Sequence, residues 1–181
     1  LARLIAEAKD WEGRGLFLPG QAALVEKHLS AAPSIEEAVA DADYIQEAVP
    51  EKPEIKDAVL RRIEAAARPD AIIASNTSTL PIGGLAKSLN KADRFLGVHF
   101  SNPSPFIPGV EVILHAGTDE SLVPEVEELV RSTGKLTARL SDSPGFVLNR
   151  LQYALLKEAI SIVDDGVASA EDVDIITRTT F

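Results

Sequence analysis

Between residues 44 and 140 the chain alternates short apolar runs with stretches of helical periodicity, and few architectures accommodate such an alternation. The apolar runs fall at 44–49, 71–74, 95–100, 110–114 and 136–140. The first two are separated by residues 53–67, where Ile55, Val59, Ile63 and Ala66 recur at helical spacing. Pro53 sits in the first turn of that helix, where its missing N–H removes no hydrogen bond. A second helix is predicted over 119–133, closed by Gly134 just past its end. Strands alternating with helices imply βα units and a mostly parallel sheet, the α/β class.

The pattern changes at Ser143-Pro144-Gly145. Residues 146–165 predict one long helix of about 30 Å, at 1.5 Å per residue, ended by Gly166. Ser169 and Asp172 have the spacing of a capping box for another helix that the chain barely enters. A boundary is therefore expected near Ser143. Residues 1–142 form a truncated α/β domain, and 143–181 begin a helical one. Upstream of the sheet, residues 1–8 and 21–29 read as helices with a loop over 11–20, and 35–40 as a short amphipathic stretch. The chain contains no methionine, opens on helical pattern and ends without a stop signal. It reads as an internal piece of a longer polypeptide.

A hydrophobic fraction of 45% is enough to fill a core. The net charge of -10 argues against a nucleic-acid surface, which needs clustered Lys and Arg. It leaves room for a small anionic ligand held by a few cations and backbone N–H groups. The absence of cysteine excludes disulfides, thiolate metal sites and cysteine nucleophiles, and fits a reducing cytoplasm. No apolar run reaches transmembrane length, and the first residues lack a signal-peptide pattern.

His99 falls at the carboxyl end of a predicted strand, where open α/β sheets bind ligands. Such a histidine is either a proton acceptor near neutral pH or a core or capping residue. Glu111 follows inside the apolar run 110–114. A carboxylate there is costly unless paired. A histidine on the neighbouring strand would pair it and be held in one tautomer. Between them, Pro103, Pro105 and Pro108 stiffen the chain. That segment is a rigid turn, or a wall presenting the Asn102 amide. Ser75-Asn76-Thr77-Ser78 also follows a strand, and its side chains serve either a ligand or their own turn. Asn149 lies among apolar neighbours on the first turns of the long helix and needs partners if buried. His28 and His115 are expected at the surface.

Taken together, five stretches resemble the 3-hydroxyacyl-CoA dehydrogenase family. They are Tyr44-Ile45-Gln46-Glu47-Ala48-Val49-Pro50-Glu51, Ser75-Asn76-Thr77-Ser78-Thr79-Leu80, Gly97-Val98-His99-Phe100-Ser101-Asn102-Pro103, Val110-Glu111-Val112-Ile113 and Ser143-Pro144-Gly145-Phe146-Val147-Leu148-Asn149-Arg150. The resemblance implies a Rossmann-type α/β domain, NAD as cofactor and reversible oxidation of a 3-hydroxyacyl-CoA. It makes His99 the catalytic base and Glu111 its partner, with Ser78 and Asn149 on the reacting oxygen. It assigns Ala48, Glu51, Lys56, Ser78 and Asn102 to the cofactor, with Lys56 also near coenzyme A. It implies a homodimer of the full-length protein. The sequence departs from the family in lacking a strand and glycine-rich turn before Tyr44, so the isolated piece is expected to be inactive. Gln152-Tyr153 and Ile107-Pro108 are closer to relatives that oxidise free hydroxy acids, such as gulonate or carnitine dehydrogenases. A crystallin-like relative without catalysis is the third possibility.

Overall fold

A computed structural model describes residues 1–180. Its centre is a five-stranded sheet in the order β1-β2-β3-β4-β5, with β1 at Tyr44–Glu47, β2 at Ile72–Ser75, β3 at Phe95–Phe100, β4 at Gly109–Leu114 and β5 at Leu136–Ser141. Three of the four pairings are parallel. The exception is β3 with β4, which run antiparallel and set His99 directly opposite Glu111. The physical reason is the length of the link. Residues 101–108 contain no helix, and a parallel crossover needs a dozen or more residues. The sheet is mostly parallel, as expected, and mixed at the pairing that matters most.

Helices cover both faces. On one, α4 (Pro53–Ala66) and α5 (Ile82–Ala86) pack Leu60, Ile63, Ile82 and Leu85 against Ile45, Ile73, Phe95 and Ile113. On the other, α6 (Val123–Ser132) sets Val123, Val126 and Val130 against Ile72, Leu96, Val98 and Val112. Gly97 is required by the first packing, because a Cβ there would lie 2.7 Å from Cδ1 of Ile82. Helix α5 was not expected from the sequence. Its amino terminus is capped from far away, Ile82 and Gly83 donating to Asp142 at 3.0 and 2.8 Å.

Two helices precede the sheet, α1 (Ala2–Gly13) and α2 (Gln21–His28), followed by the short α3 (Ile35–Val39). Helix α1 runs past the predicted end at residue 8. It carries Trp11 onto Phe17 and Phe106, with ring centroids 5.2 and 5.3 Å apart, so the pair of helices leans on the proline-rich link after β3. His115 is not the surface residue expected. It is half-buried beside Phe95, and its Nε2 lies 3.0 Å from the Ala92 carbonyl oxygen. His28 is exposed.

After β5 the chain turns through Gly145 and Phe146, both at positive φ (76° and 49°). For phenylalanine this backbone conformation is unfavourable. Burial offsets the cost, since Phe146 is enclosed in the core against the His99 ring. Helix α7 begins only at Leu148 and ends at Asp164, shorter than the predicted 146–165. The final helix, α8 (Ala170–Thr180), opens on the predicted capping box: Asp172 N–H donates to Ser169 Oγ at 3.1 Å, and that hydroxyl donates to Asp172 Oδ2 at 2.6 Å. Among the described residues no helix is long and apolar enough to cross a membrane.

Candidate active site

The carboxyl ends of β1, β2 and β3 open on one side of the sheet, and the loops there gather the polar residues. His99 and Glu111 are both buried, with Nδ1 of the imidazole 2.7 Å from Oε2 of the carboxylate. A carboxylate on Nδ1 fixes the tautomer and frees Nε2. No protein group occupies Nε2 among the described residues. The second oxygen of Glu111 accepts from the Val147 and Leu148 N–H groups, each at 2.9 Å. These are unpaired donors at the start of α7, where a negative charge is favoured. One carboxylate therefore orients the histidine and anchors the helix that carries Asn149.

Asn149 reaches back to the sheet. Its Nδ2 donates to the Ser78 carbonyl oxygen at 2.7 Å, which leaves its own carbonyl and the Ser78 hydroxyl without partners among the described residues. The rest of the 75–79 segment is spoken for. Ser75 donates to Glu47 at 2.5 Å, Asn76 accepts from Phe100 N–H at 2.8 Å, and Thr77 donates to Glu51 at 2.6 Å. Ser75 and Thr77 also serve their own turn, accepting from Thr77 N–H and Leu80 N–H, whereas Asn76 bonds to β3; among the described residues only the Ser78 side chain makes no hydrogen bond.

Glu51 accepts four hydrogen bonds on one oxygen, from Thr77 Oγ1, Ser78 N–H, Thr79 N–H and Thr79 Oγ1. Burial pushes its carboxyl up, but the bonds from Thr77, Thr79 and Ser78 outweigh it and hold the pKa at about 2. Ala48 and Asn102 are exposed on neighbouring loops, and Asn102 makes no side-chain hydrogen bond among the described residues. Lys56 stands apart from the other residues expected at the cofactor. It is 1% exposed, and its ammonium points inward to Glu47, at 2.9 and 3.1 Å from the two oxygens. Glu47 was not foreseen as a site residue. Its signal was a carboxylate ending an apolar strand, the same feature that drew attention to Glu111.

Beside Asn102 a groove of about 390 Å³ runs between the first two helices and the proline-rich link, lined by Trp11, Phe17, Asn102, Pro103 and Pro105. Among the described residues no group of three or more His, Asp or Glu side chains could hold a metal ion.

Fold and site together define a Rossmann-type α/β protein with a histidine–carboxylate pair at the mouth of its sheet. Residues 2–143 match the family described as 3-hydroxyacyl-CoA dehydrogenase, NAD binding domain, and residues 145–181 match the corresponding C-terminal domain. The chain belongs to the 3-hydroxyacyl-CoA dehydrogenase family. It is 40% identical over 116 residues to a 3-hydroxybutyryl-CoA dehydrogenase of Clostridioides difficile, a match covering 64% of this chain and 41% of the relative. It is 43% identical over 117 residues to the 5-formyl-3-hydroxy-2-methylpyridine 4-carboxylate 5-dehydrogenase of Mesorhizobium japonicum, covering 64% and 38%. Among solved structures, the (S)-3-hydroxybutyryl-CoA dehydrogenase PaaH1 of Ralstonia eutropha superposes with a TM-score of 0.87 at 30% identity, over 98% of this chain and 62% of that one. The matches span about two-fifths of the length of the curated relatives.

Proposed function

We propose that this chain carries the catalytic centre of an NAD-dependent dehydrogenase that interconverts a 3-hydroxyacyl-CoA and its 3-ketoacyl-CoA. The observation that carries the reading is the buried His99–Glu111 pair, 2.7 Å apart, with Nε2 of the histidine free. His99 Nε2 takes the proton of the substrate hydroxyl in oxidation and returns it in reduction. Glu111 stabilises the imidazolium that forms. The Ser78 hydroxyl and the Asn149 amide, held together at 2.7 Å through the Ser78 carbonyl, align the reacting oxygen.

NAD, when bound, supplies the hydride acceptor or donor. The residues present suit its nicotinamide end: Ala48, Glu51, Ser78 and Asn102 lie on loops beyond the carboxyl ends of the strands, and the Ser78 and Asn102 side chains have no partner among the described residues. Among the described residues no strand and glycine-rich turn precede Tyr44, so the pyrophosphate end is not provided for here. The reading includes a division near Ser143 between an α/β part and a helical part, and action as a homodimer in the cytoplasm. The exposed apolar side chains of α7, Leu151, Leu155 and Ile160, support helical packing onto a second copy or onto further helices.

A second reading, a free hydroxy acid as substrate, is favoured by one observation. The relative from Mesorhizobium is named for a pyridine carboxylate and matches at 43% identity. Turnover of the full-length protein with NADH and acetoacetyl-CoA, against NAD and a panel of free 3-hydroxy acids, decides between them. His99→Ala should lower the rate with the true substrate by roughly 10²–10⁴-fold and leave NADH affinity nearly unchanged. A variant as active as the wild type would remove the histidine from the mechanism.

A further inference from the structure

We infer that Phe146 is a positioning residue: its left-handed backbone turns the next two amides onto Glu111, and its ring, buried beside His99, holds that backbone in place. The inference rests on the reading that His99 and Glu111 handle the proton of the substrate.

Among the described residues Phe146 is the one residue other than glycine at positive φ, at 49°. A side chain bearing Cβ resists that conformation. A change of chain direction alone does not call for it, because Gly145 just before supplies a φ of 76° with no side chain to accommodate. What phenylalanine adds is its ring. Phe146 is 2% exposed, in the core cluster that includes Ile82 and Ile113, and its ring centroid lies 5.9 Å from that of His99, with the planes at 53°. Leaving the left-handed region would withdraw the ring from these neighbours.

That backbone shape decides how Glu111 is held. Val147 returns to the right-handed region, with φ −91° and ψ −49°. A left-handed residue followed by a right-handed one turns successive N–H groups towards a common point, a concavity suited to an anion. The Phe146 N–H closes the turn on the Ser143 carbonyl at 3.0 Å. The next two, of Val147 and Leu148, meet on Glu111 Oε1 at 2.9 Å each. The other oxygen, Oε2, faces His99 Nδ1 at 2.7 Å. The buried carboxylate is thus clamped between an amide cradle and the imidazole, which fixes its rotation and, with it, the orientation of His99. Phe146 acts through Glu111 and His99.

Two isomeric substitutions separate the backbone from the ring. Phe146→Leu and Phe146→Ile remove the same ring and leave the same apolar volume, but isoleucine branches at Cβ, where positive φ is least tolerated. In the ligand-free full-length protein, amide exchange at Val147 and Leu148 should be about fivefold or more faster with isoleucine than with leucine. The low-field resonance of the His99 Nδ1 proton should persist in the leucine variant and broaden or vanish in the isoleucine one. A packing role alone would move both variants alike. Equal exchange and equal resonances in two folded variants would overturn the inference. If isoleucine prevents folding, Phe146→Gly and Phe146→Ala take the place of the pair, since glycine accepts positive φ and alanine resists it. Slower exchange at the two amides in the glycine variant supports the inference, and equal or faster exchange overturns it. Turnover with NADH and acetoacetyl-CoA, or with NAD and the free 3-hydroxy acid that the wild type accepts, tests the premise separately. Lower turnover with isoleucine than with leucine, in step with exchange, supports both. Unequal exchange with equal turnover supports the positioning role and removes the His99–Glu111 pair from the reaction.

Discussion

The strands that carry His99 and Glu111 are enclosed on both faces, whereas the helix that carries Asn149 buries none of its residues. Val98 and Val112, beside His99 and Glu111, are 0% exposed; Leu151 and Tyr153, just after Asn149, are 65% and 67% exposed. The pair is therefore built into the rigid part of the molecule, and the third polar group is delivered by a part with little packing of its own. What joins them is polar and concentrated at one place: two backbone bonds from the start of α7 to Glu111, one side-chain bond from Asn149 to Ser78, and Phe146 seated in the core. The difference teaches that an acid can orient a base and locate a helix at the same time.

The sharpest way to break this arrangement is at Glu111, and there the largest effect is expected. Glu111→Ala removes the partner of His99 and the anchor of α7 together. Turnover of the full-length protein should fall by roughly 10²–10⁴-fold, the usual worth of an organised proton transfer. Amide exchange at Val147 and Leu148 should rise in parallel. Glu111→Gln keeps an acceptor for those two amides but cannot stabilise the imidazolium. It should lose activity while α7 stays protected. If the glutamine variant exposes the two amides as fully as alanine does, the anchor depends on charge and not on hydrogen bonding.

The contrast in packing predicts unequal costs for the same chemical change. Leu96→Ala, in the middle of β3 at 0% exposure, should destabilise by about 2–5 kcal/mol. Leu151→Ala on α7 should stay within about 0.5 kcal/mol. Urea denaturation of both variants checks this. Equal losses would mean that α7 is packed in solution against something that covers Leu151.

Glu51 offers a smaller, pH-dependent effect. Its folded pKa of about 2 lies below the ordinary carboxylate value of about 4.3. A depressed carboxyl contributes stability that is full above the unfolded pKa and is lost as pH falls through the folded one. Wild type should therefore exceed Glu51→Gln in stability above about pH 4.3, the gap closing towards pH 2. Urea midpoints at several pH values measure it. A gap that does not change with pH would assign the effect to the hydrogen bonds of the 77–79 segment and not to its charge.

The strands and the His99–Glu111 pair were legible in the sequence because both signals are local: apolar runs of strand length, and carboxylates where carboxylates are costly. The antiparallel turn between β3 and β4 was legible too, in the eight residues that connect them, but only if link length is weighed alongside alternation. Lys56 was not. Reading the inner face of α4 from apolar residues alone gives Ile55, Val59, Ile63 and Ala66. The structure buries Lys56, Leu60 and Ile63, a rotation that admits a charged side chain because Glu47 waits for it. Helix α5 was hidden for another reason. Gly83 and Gly84 weaken its propensity, and its cap, Asp142, lies about sixty residues away. Contacts of that separation leave no local trace.

An effect confined to the last helix sharpens the comparison at its far end. Ser169 caps α8 through the Asp172 amide, and Ser169→Ala should cost that helix about 1 kcal/mol. If α7 and α8 form a region whose stability is separate from that of the sheet, the loss stays local. Exchange at Asp172 and Val173, whose N–H groups bond Ser169 Oγ and the Ser169 carbonyl, should then accelerate by about fivefold, since 1.4 kcal/mol is a factor of ten. Amides of β3, which open only with the whole sheet, should exchange as in the wild type. Faster exchange in β3, at positions such as Val98 beside His99, would show that the last helix and the sheet unfold as one cooperative unit. In that case the polar bridge through Glu111 transmits stability in both directions, and the helical part is no passenger on the sheet.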